Sequence, residues 1–217
     1  MTPNPETRED SPRRQFLRTF LHDLATPLSA VSLHLEGASR RVARGEDPSE
    51  SLEIAKNELG RAFDLFERGR DLLLARPGRV ESFSFDDWVE AALHDYGRDG
   101  IVVAGRTGGR VEGDTEKLSE ALTSLVVNAV ESATSSPVSV FLERAGGRLR
   151  VRIENRGTLP AEDPEKLFAP RSVGSGKNWG MGLARARLYA ADAGGVVRLG
   201  QDGDRVSAVL ELPEETA

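Results

Sequence analysis

The chain of 217 residues has no cysteine. That excludes disulfides, thiolate metal sites and cysteine nucleophiles, and it fits a reducing compartment such as the cytoplasm. Basic charge is not in excess: 29 Lys and Arg stand against 35 Asp and Glu, a net charge of −6. A nucleic-acid binder would show a basic patch, so no nucleic-acid partner is expected. No apolar run approaches the roughly 18–20 residues that span a membrane, so no membrane segment is expected in this chain. The first fifteen residues are polar, carry Pro3, Pro5 and Pro12, and lack the apolar stretch of a signal peptide. Residues 1–13 read as a disordered tail. No internal repeat or low-complexity tract is present. What remains is ordinary: 38% hydrophobic and 29% charged residues, enough for one large domain or two small ones with modest cores.

Residues 14–77 carry a helical signal. Apolar residues recur at Leu17, Leu21, Leu24, Leu28, Val31, Leu35, Ala38 and Val42, alternating steps of 4 and 3. This heptad seam is the pattern of a bundle or coiled coil. Gly45 suits a helix C-terminus. Asp47, Pro48 and Glu50 read as N-cap, N1 and N3 of a second helix. Its seam runs through Leu52, Ala55, Leu59, Ala62, Phe66, Gly69 and Leu73, and it stops at Arg76-Pro77-Gly78. Two such helices form an antiparallel hairpin. One hairpin cannot bury both seams, and Phe63, Leu65 and Leu72 widen the apolar surface. A second copy would complete a four-helix bundle, so a homodimer is expected. The competing arrangement is a monomer whose hairpin packs on its own C-terminal domain.

One stretch departs from seam chemistry: Phe20-Leu21-His22-Asp23-Leu24-Ala25-Thr26-Pro27-Leu28. His22 lies beside the seam and should reach solvent. Asp23 is its neighbour, and Thr26 shares its face one turn on. Pro27 sits inside a helix at a cost of roughly 3 kcal/mol, so something else requires that local geometry. An exposed imidazole accepts a phosphoryl group through one ring nitrogen while a carboxylate holds the other N–H. A hydroxyl one turn away can orient a water. His34 and His94 match no motif and read as structural or surface residues.

From about residue 83 the periodicity changes. Residues 85–96 read as a short helix, 100–104 and 110–112 as strands, and Asp114 as the cap of a helix through Leu118, Leu122, Leu125 and Val126. Strands near 138–143 and 149–154 follow, then a glycine-rich region, another helix and a closing hairpin at 196–199 and 206–212. The expected fold class is α+β: an N-terminal helical hairpin (14–77), then an α/β sandwich (80–217) with helices on one face of a sheet.

The first stretch resembles the H-box of two-component histidine kinases: His, an acid, two residues, Thr or Asn, then Pro-Leu. Three further segments resemble the nucleotide boxes of the GHKL ATPases, the superfamily of those kinases and the gyrase-type ATPases. The stretch from Gly113 to Ala133, with Leu125-Val126-Val127-Asn128-Ala129-Val130-Glu131 at its heart, resembles the N-box. Ser124 stands where many members have a second asparagine. Lys177-Asn178-Trp179-Gly180-Met181-Gly182-Leu183-Ala184 resembles the G2 box with a short ATP lid, and Phe168 lies where an F-box phenylalanine belongs. The G1 box, normally Asp-x-Gly-x-Gly, is altered. Asn155 takes the acid's place, Gly157 is kept, and the second glycine is missing. An alternative alignment puts Glu154 in the acid's place.

The resemblance, over roughly residues 14–213, implies an ATP-dependent protein-histidine kinase. His22 would be the phosphoacceptor, Asp23 the assisting acid, and Thr26 the residue that positions water to dephosphorylate a response regulator. ATP and Mg²⁺ are the implied cofactors, and a response-regulator receiver domain is the implied partner. Asn128 would hold Mg²⁺ through its amide oxygen, which suits a hard cation. Asn155, Gly157, Lys177, Gly180, Gly182 and Leu183 would bind the nucleotide. Glycines admit phosphates close to the backbone, and Lys177 neutralises their charge. Two other readings stay open. One is a histidine phosphotransferase whose C-terminal domain no longer binds ATP; the altered G1 box, Ser124 and the lack of a sensor segment favour it. The other is a GHKL-type binding protein that sequesters a partner, which the intact H-box opposes.

Overall fold

The computed structural model describes residues 11–75, 78–96, 100–160, 163–168 and 181–216. The chain divides into two compact units, a helical hairpin and an α/β unit.

In the hairpin, helix α1 spans Pro12–Ala43 and helix α2 spans Ser49–Leu73. Helix α1 starts earlier than the expected tail boundary of residue 13: Ser11 caps it, its hydroxyl accepting from the Arg14 N–H at 3.4 Å, and Pro12 is the first helical residue. A proline there gives up an N–H that has no helical partner in any case. Helix α1 ends as expected at Gly45, whose φ is 71°. The Gly45 N–H reaches the Val42 carbonyl and the Glu46 N–H reaches that of Arg41, a paired closure that satisfies the last turn. Asp47 does a cap's work one residue further out than expected. Its carboxylate accepts from the N–H and hydroxyl of Ser49, while Pro48 is the flanking residue and α2 begins at Ser49.

The two helices close on each other through Phe16, Phe20, Pro27 and Ala38 against Ala55, Ala62, Leu65 and Leu72, all buried. Leu65 and Leu72 therefore lie inside the hairpin and do not widen its open surface; Phe63, at 63% exposure, does. Most of the seam's large residues stay open: Leu17, Leu21, Leu28, Leu35, Val42, Leu52, Leu59 and Phe66 are all exposed. The seam's small residues Ala38, Ala55, Ala62 and Gly69 thus belong to the intrachain contact, while most of its large residues stay open beside it.

Gly69 shows how tight the contact is. A Cβ there would clash with the edge of the Phe20 ring, which is itself buried and stacked on Phe16 at 5.8 Å. Gly69→Ala should destabilise the hairpin by about 1–3 kcal/mol through overpacking, against about 1 kcal/mol of gain in helix propensity. A lowered urea midpoint checks this. An unchanged or raised midpoint would mean that Phe20 can vacate the notch freely.

The α/β unit contains strands β1 (Val80–Ser84), β2 (Ile101–Ala104), β3 (Arg110–Asp114), β4 (Ser135–Ala145), β5 (Arg148–Arg156), β6 (Val196–Asp202) and β7 (Arg205–Pro213), with helices α3 (Phe85–Leu93), α4 (Thr115–Ser132) and α5 (Gly182–Asp192). The expected helix 85–96 is α-helical only to Leu93 and finishes as a 3₁₀ turn, His94–Tyr96. Five strands form a sheet in the order β2-β4-β5-β7-β6, while β1 and β3 pair separately. Strand β2 runs parallel to β4, and the other pairs are antiparallel.

Strict alternation along β5 puts Leu149, Val151, Ile153 and Asn155 on the buried face and Arg148, Arg150, Arg152 and Glu154 on the other. Helix α4 lies over β5 and β7, burying Leu118, Leu122, Leu125 and Val126 with Ile153 and Leu210. Each such leucine contributes about 2 kcal/mol. The opposite face of the sheet is polar: Arg148 and Arg150 converge on the buried carboxylate of Glu211 at 2.6 and 2.5 Å. The turn before β3 is held by Asp86, which accepts from the N–H and hydroxyl of Thr107 and the N–H of Gly108. Partial burial pushes its carboxyl up. The hydrogen bonds from Gly108 and Thr107, with nearby Arg106, outweigh that and hold it below the usual aspartate range.

Candidate functional site

On the hairpin, α1 presents the histidine stretch. The His22 side chain is 82% exposed. Its Nδ1 lies 3.4 Å from Asp23 Oδ1, and the Asp23 side chain is 29% exposed. In the tautomer that carries its proton on Nδ1, this nitrogen faces the carboxylate and Nε2 is the ring nitrogen left open to solvent. Thr26 lies on the same face, its hydroxyl donating to the His22 carbonyl at 3.4 Å. Pro27, the next residue, is buried within the helix. The ring, the carboxylate and the hydroxyl are thus brought together on one exposed helical face. His34 is half-buried on α1, and His94 is exposed in the 3₁₀ turn.

In the α/β unit the expected nucleotide residues gather at the C-terminal half of α4, the end of β5 and the start of α5. Asn128 and Ser124 sit one turn apart on α4. Gly182 opens α5 directly opposite them: a Cβ on it would lie 3.5 Å from Ser124 Cβ and 3.6 Å from Asn128 Nδ2. Leu183 follows, half-buried, in the first turn of α5. These are ordinary contact distances, so α5 starts packed against α4 at this point, and its first turn leaves free N–H groups near the Asn128 amide. Phe168 is buried, and the Arg187 guanidinium lies over its ring at 4.3 Å. Lys177 and Gly180 lie outside the described residues.

Asn155 and Glu154 point to opposite faces of the sheet. Glu154 is on the polar face, paired with Arg152 and Arg205. Asn155 is 5% exposed and faces α4. Its Nδ2 donates to Ser132 Oγ and to the Arg156 carbonyl, both at 3.3 Å. Ser132 Oγ in turn donates to the Asn128 carbonyl at 2.7 Å. Gly157 makes room for this contact: a Cβ there would lie 2.8 Å from the Ser132 carbonyl oxygen and 3.1 Å from Asn155 Nδ2. Past Gly157, where the second glycine is missing, the chain is tied to β6 by the Leu159 N–H donating to Gln201 Oε1 at 2.8 Å.

Sequence reasoning singled out neither Ser132 nor Gln201. The i, i+4 spacing from Asn128 to Ser132 was the available signal for the first. Nothing local marks the second, because its partner is 42 residues away.

Comparison with known proteins places both units. Residues 12–74 match the His Kinase A (phospho-acceptor) domain. Residues 113–216 match the family of histidine kinase-, DNA gyrase B- and HSP90-like ATPases. The sensor-like histidine kinase SenX3 of Mycolicibacterium smegmatis is 27% identical over 230 residues, covering 95% of this chain and 59% of the relative. SenX3 of Mycobacterium tuberculosis is 29% identical over 226 residues, covering 95% of this chain and 55% of the relative. The chain thus spans little more than half the length of these relatives. Among solved structures, the histidine kinase AdeS of Acinetobacter baumannii shares the fold with a TM-score of 0.57 at 20% identity, covering 90% of this chain and 98% of that one. Histidine kinase ThkA, solved in complex with response regulator protein TrrA, does so with a TM-score of 0.59 at 21% identity, covering 99% of this chain and 68% of that one. With a phosphoacceptor hairpin followed by a GHKL-type ATPase unit in one polypeptide, the chain belongs to the two-component histidine kinases as their catalytic core.

Proposed function

We propose that this chain moves the γ-phosphoryl group of ATP to Nε2 of His22 and passes it on to an aspartate of a response-regulator receiver domain. The observation that carries the reading is the exposed His22 with its Nδ1 held by Asp23, in one chain with the ATPase unit. In the transfer, the N–P bond forms at Nε2 as the bond from the γ-phosphorus to the β–γ bridging oxygen breaks and ADP leaves. Asp23 holds the Nδ1 proton and stabilises the positive charge that develops on the ring. Asn155 and Gly157 would receive the base, and Lys177, Gly180, Gly182 and Leu183 the phosphates. Asn128 would supply one amide oxygen, a donor that fits a hard metal such as Mg²⁺. When bound, Mg²⁺ neutralises charge on those phosphates. The exposed seam on both helices supports a homodimer, with Leu17, Leu21, Leu28, Leu52, Leu59 and Phe66 covered by a second copy. The ThkA–TrrA complex supports the receiver-domain partner.

Incubation of the purified chain with γ-labelled ATP and Mg²⁺ tests this. Acid-labile label on the protein is the expected result. No label, together with no ATP binding by calorimetry, would overturn it in favour of the phosphotransferase reading, which the altered G1 box at Asn155 favours.

A dephosphorylating role rests on Thr26. Its hydroxyl is exposed and makes one long bond to the His22 carbonyl, so it is free to orient a water. Thr26→Ala should leave autophosphorylation intact and slow dephosphorylation of the phosphorylated receiver by about tenfold or more. Equal decay rates with mutant and parent would remove Thr26 from this role.

A further inference from the structure

We infer that Ser132 is a positioning residue that locks the Asn155 amide with its carbonyl oxygen outward, and thereby sets a preference for 6-aminopurine over 6-ketopurine nucleotides. The inference rests on the reading above that this unit binds ATP. Asn155 is almost wholly buried, and both hydrogens of its Nδ2 have acceptors, Ser132 Oγ and the Arg156 carbonyl. A serine hydroxyl has one hydrogen to give. That of Ser132 goes to the turn of α4 behind it, at 2.7 Å to the Asn128 carbonyl and 3.4 Å to that of Ala129. Ser132 Oγ therefore meets Asn155 as an acceptor. The Arg156 carbonyl is an acceptor by nature, and it already receives the N–H and hydroxyl of Thr134. An amide flipped by 180° would set Oδ1 against two oxygens.

The orientation is thus determined by the network and not by the isolated side chain. On a residue only 5% exposed, Oδ1 is left as an acceptor with no donor among the described residues. Such an atom favours a ligand that brings a donor and rejects one that brings a second acceptor. An exocyclic 6-amino group brings the donor; a 6-keto oxygen brings the acceptor. Ser132 itself is exposed, so removing its hydroxyl disturbs no packing. Without it, one of the two oxygens that forbid the flip is gone.

The test is calorimetric affinity for ATP and for inosine triphosphate, whose base carries a 6-keto oxygen, measured on the full chain as parent, Ser132→Ala and Ser132→Thr. The parent should prefer ATP. In Ser132→Ala the preference should fall by about fivefold, the worth of one hydrogen bond. Ser132→Thr keeps the hydroxyl and should keep the preference. A preference unchanged in Ser132→Ala, or lost equally in Ser132→Thr, would overturn the inference while leaving ATP binding in place. A parent that binds no ATP would overturn both the inference and the reading beneath it.

Discussion

His22→Ala should take up no label from γ-labelled ATP while keeping its fold. The expected loss is complete, because the substitution removes the one atom proposed to accept the phosphoryl group. The structural cost is small for two reasons. The side chain is 82% exposed, and its one polar contact is a 3.4 Å approach to a neighbour on the same helix. Alanine is also the better helix former, by up to about 0.7 kcal/mol. Labelling should therefore be read beside a urea midpoint equal to or slightly above that of the parent, and a sedimentation profile that matches it. Label surviving in a folded His22→Ala protein would place the acceptor elsewhere and remove the central assignment. ATP binding should persist in the variant, since Asn128, Asn155 and Gly182 belong to the other compact unit.

Asn155→Asp, which restores the acid found in the family's G1 box, should weaken the protein. Resemblance alone predicts a gain in ATP affinity, because a carboxylate is the stronger acceptor. The neighbours predict the opposite. Asn155 Nδ2 faces Ser132 Oγ and the Arg156 carbonyl, and an ionised carboxylate has no hydrogen for either. Ser132 could turn its hydroxyl toward the new carboxylate, but only by abandoning the Asn128 carbonyl. The Arg156 carbonyl has no such choice and would oppose the charge directly. Burying an ionised group without its hydrogen bonds costs about 2–3 kcal/mol or more. A lowered urea midpoint at neutral pH is expected, with ATP affinity no better than the parent's. A variant as stable as the parent that binds ATP more tightly would show that the pocket tolerates the acid and that asparagine here is a simple loss.

Much of this was legible from residue order. The heptad steps located both helices of the hairpin, Gly45 marked the end of the first, and the stretch around His22 carried its chemistry in consecutive positions. The period-2 pattern of β5 and the cap at Asp114 were equally local, the latter accepting from the Lys117 N–H at 3.2 Å. Errors arose where one residue's role depended on another far along the chain. Leu65 and Leu72 look like further open surface until α1 is laid against α2, when they turn inward. Gly69 reads as a small seam residue until Phe20, 49 positions earlier, fills the space its Cβ would take. Strand β1 exists because β3 pairs with it across thirty residues, and no short pattern announces that.

The G1 box shows the same division most clearly. By sequence, Glu154 and Asn155 were alternatives for one position. Strand alternation in the folded sheet separates them, sending Glu154 to the arginine-lined face and Asn155 to the side of α4. Sequence by itself determined what is local: helix periods, caps, and the order of chemical groups along a helix face. Tertiary structure alone decided which apolar residues the hairpin closes on and which it leaves open, why Gly69 must lack a side chain, and which way the Asn155 amide points. The physical reason is that each of those depends on contacts between atoms of distant residues, whose volumes and hydrogens meet only once the chain has folded.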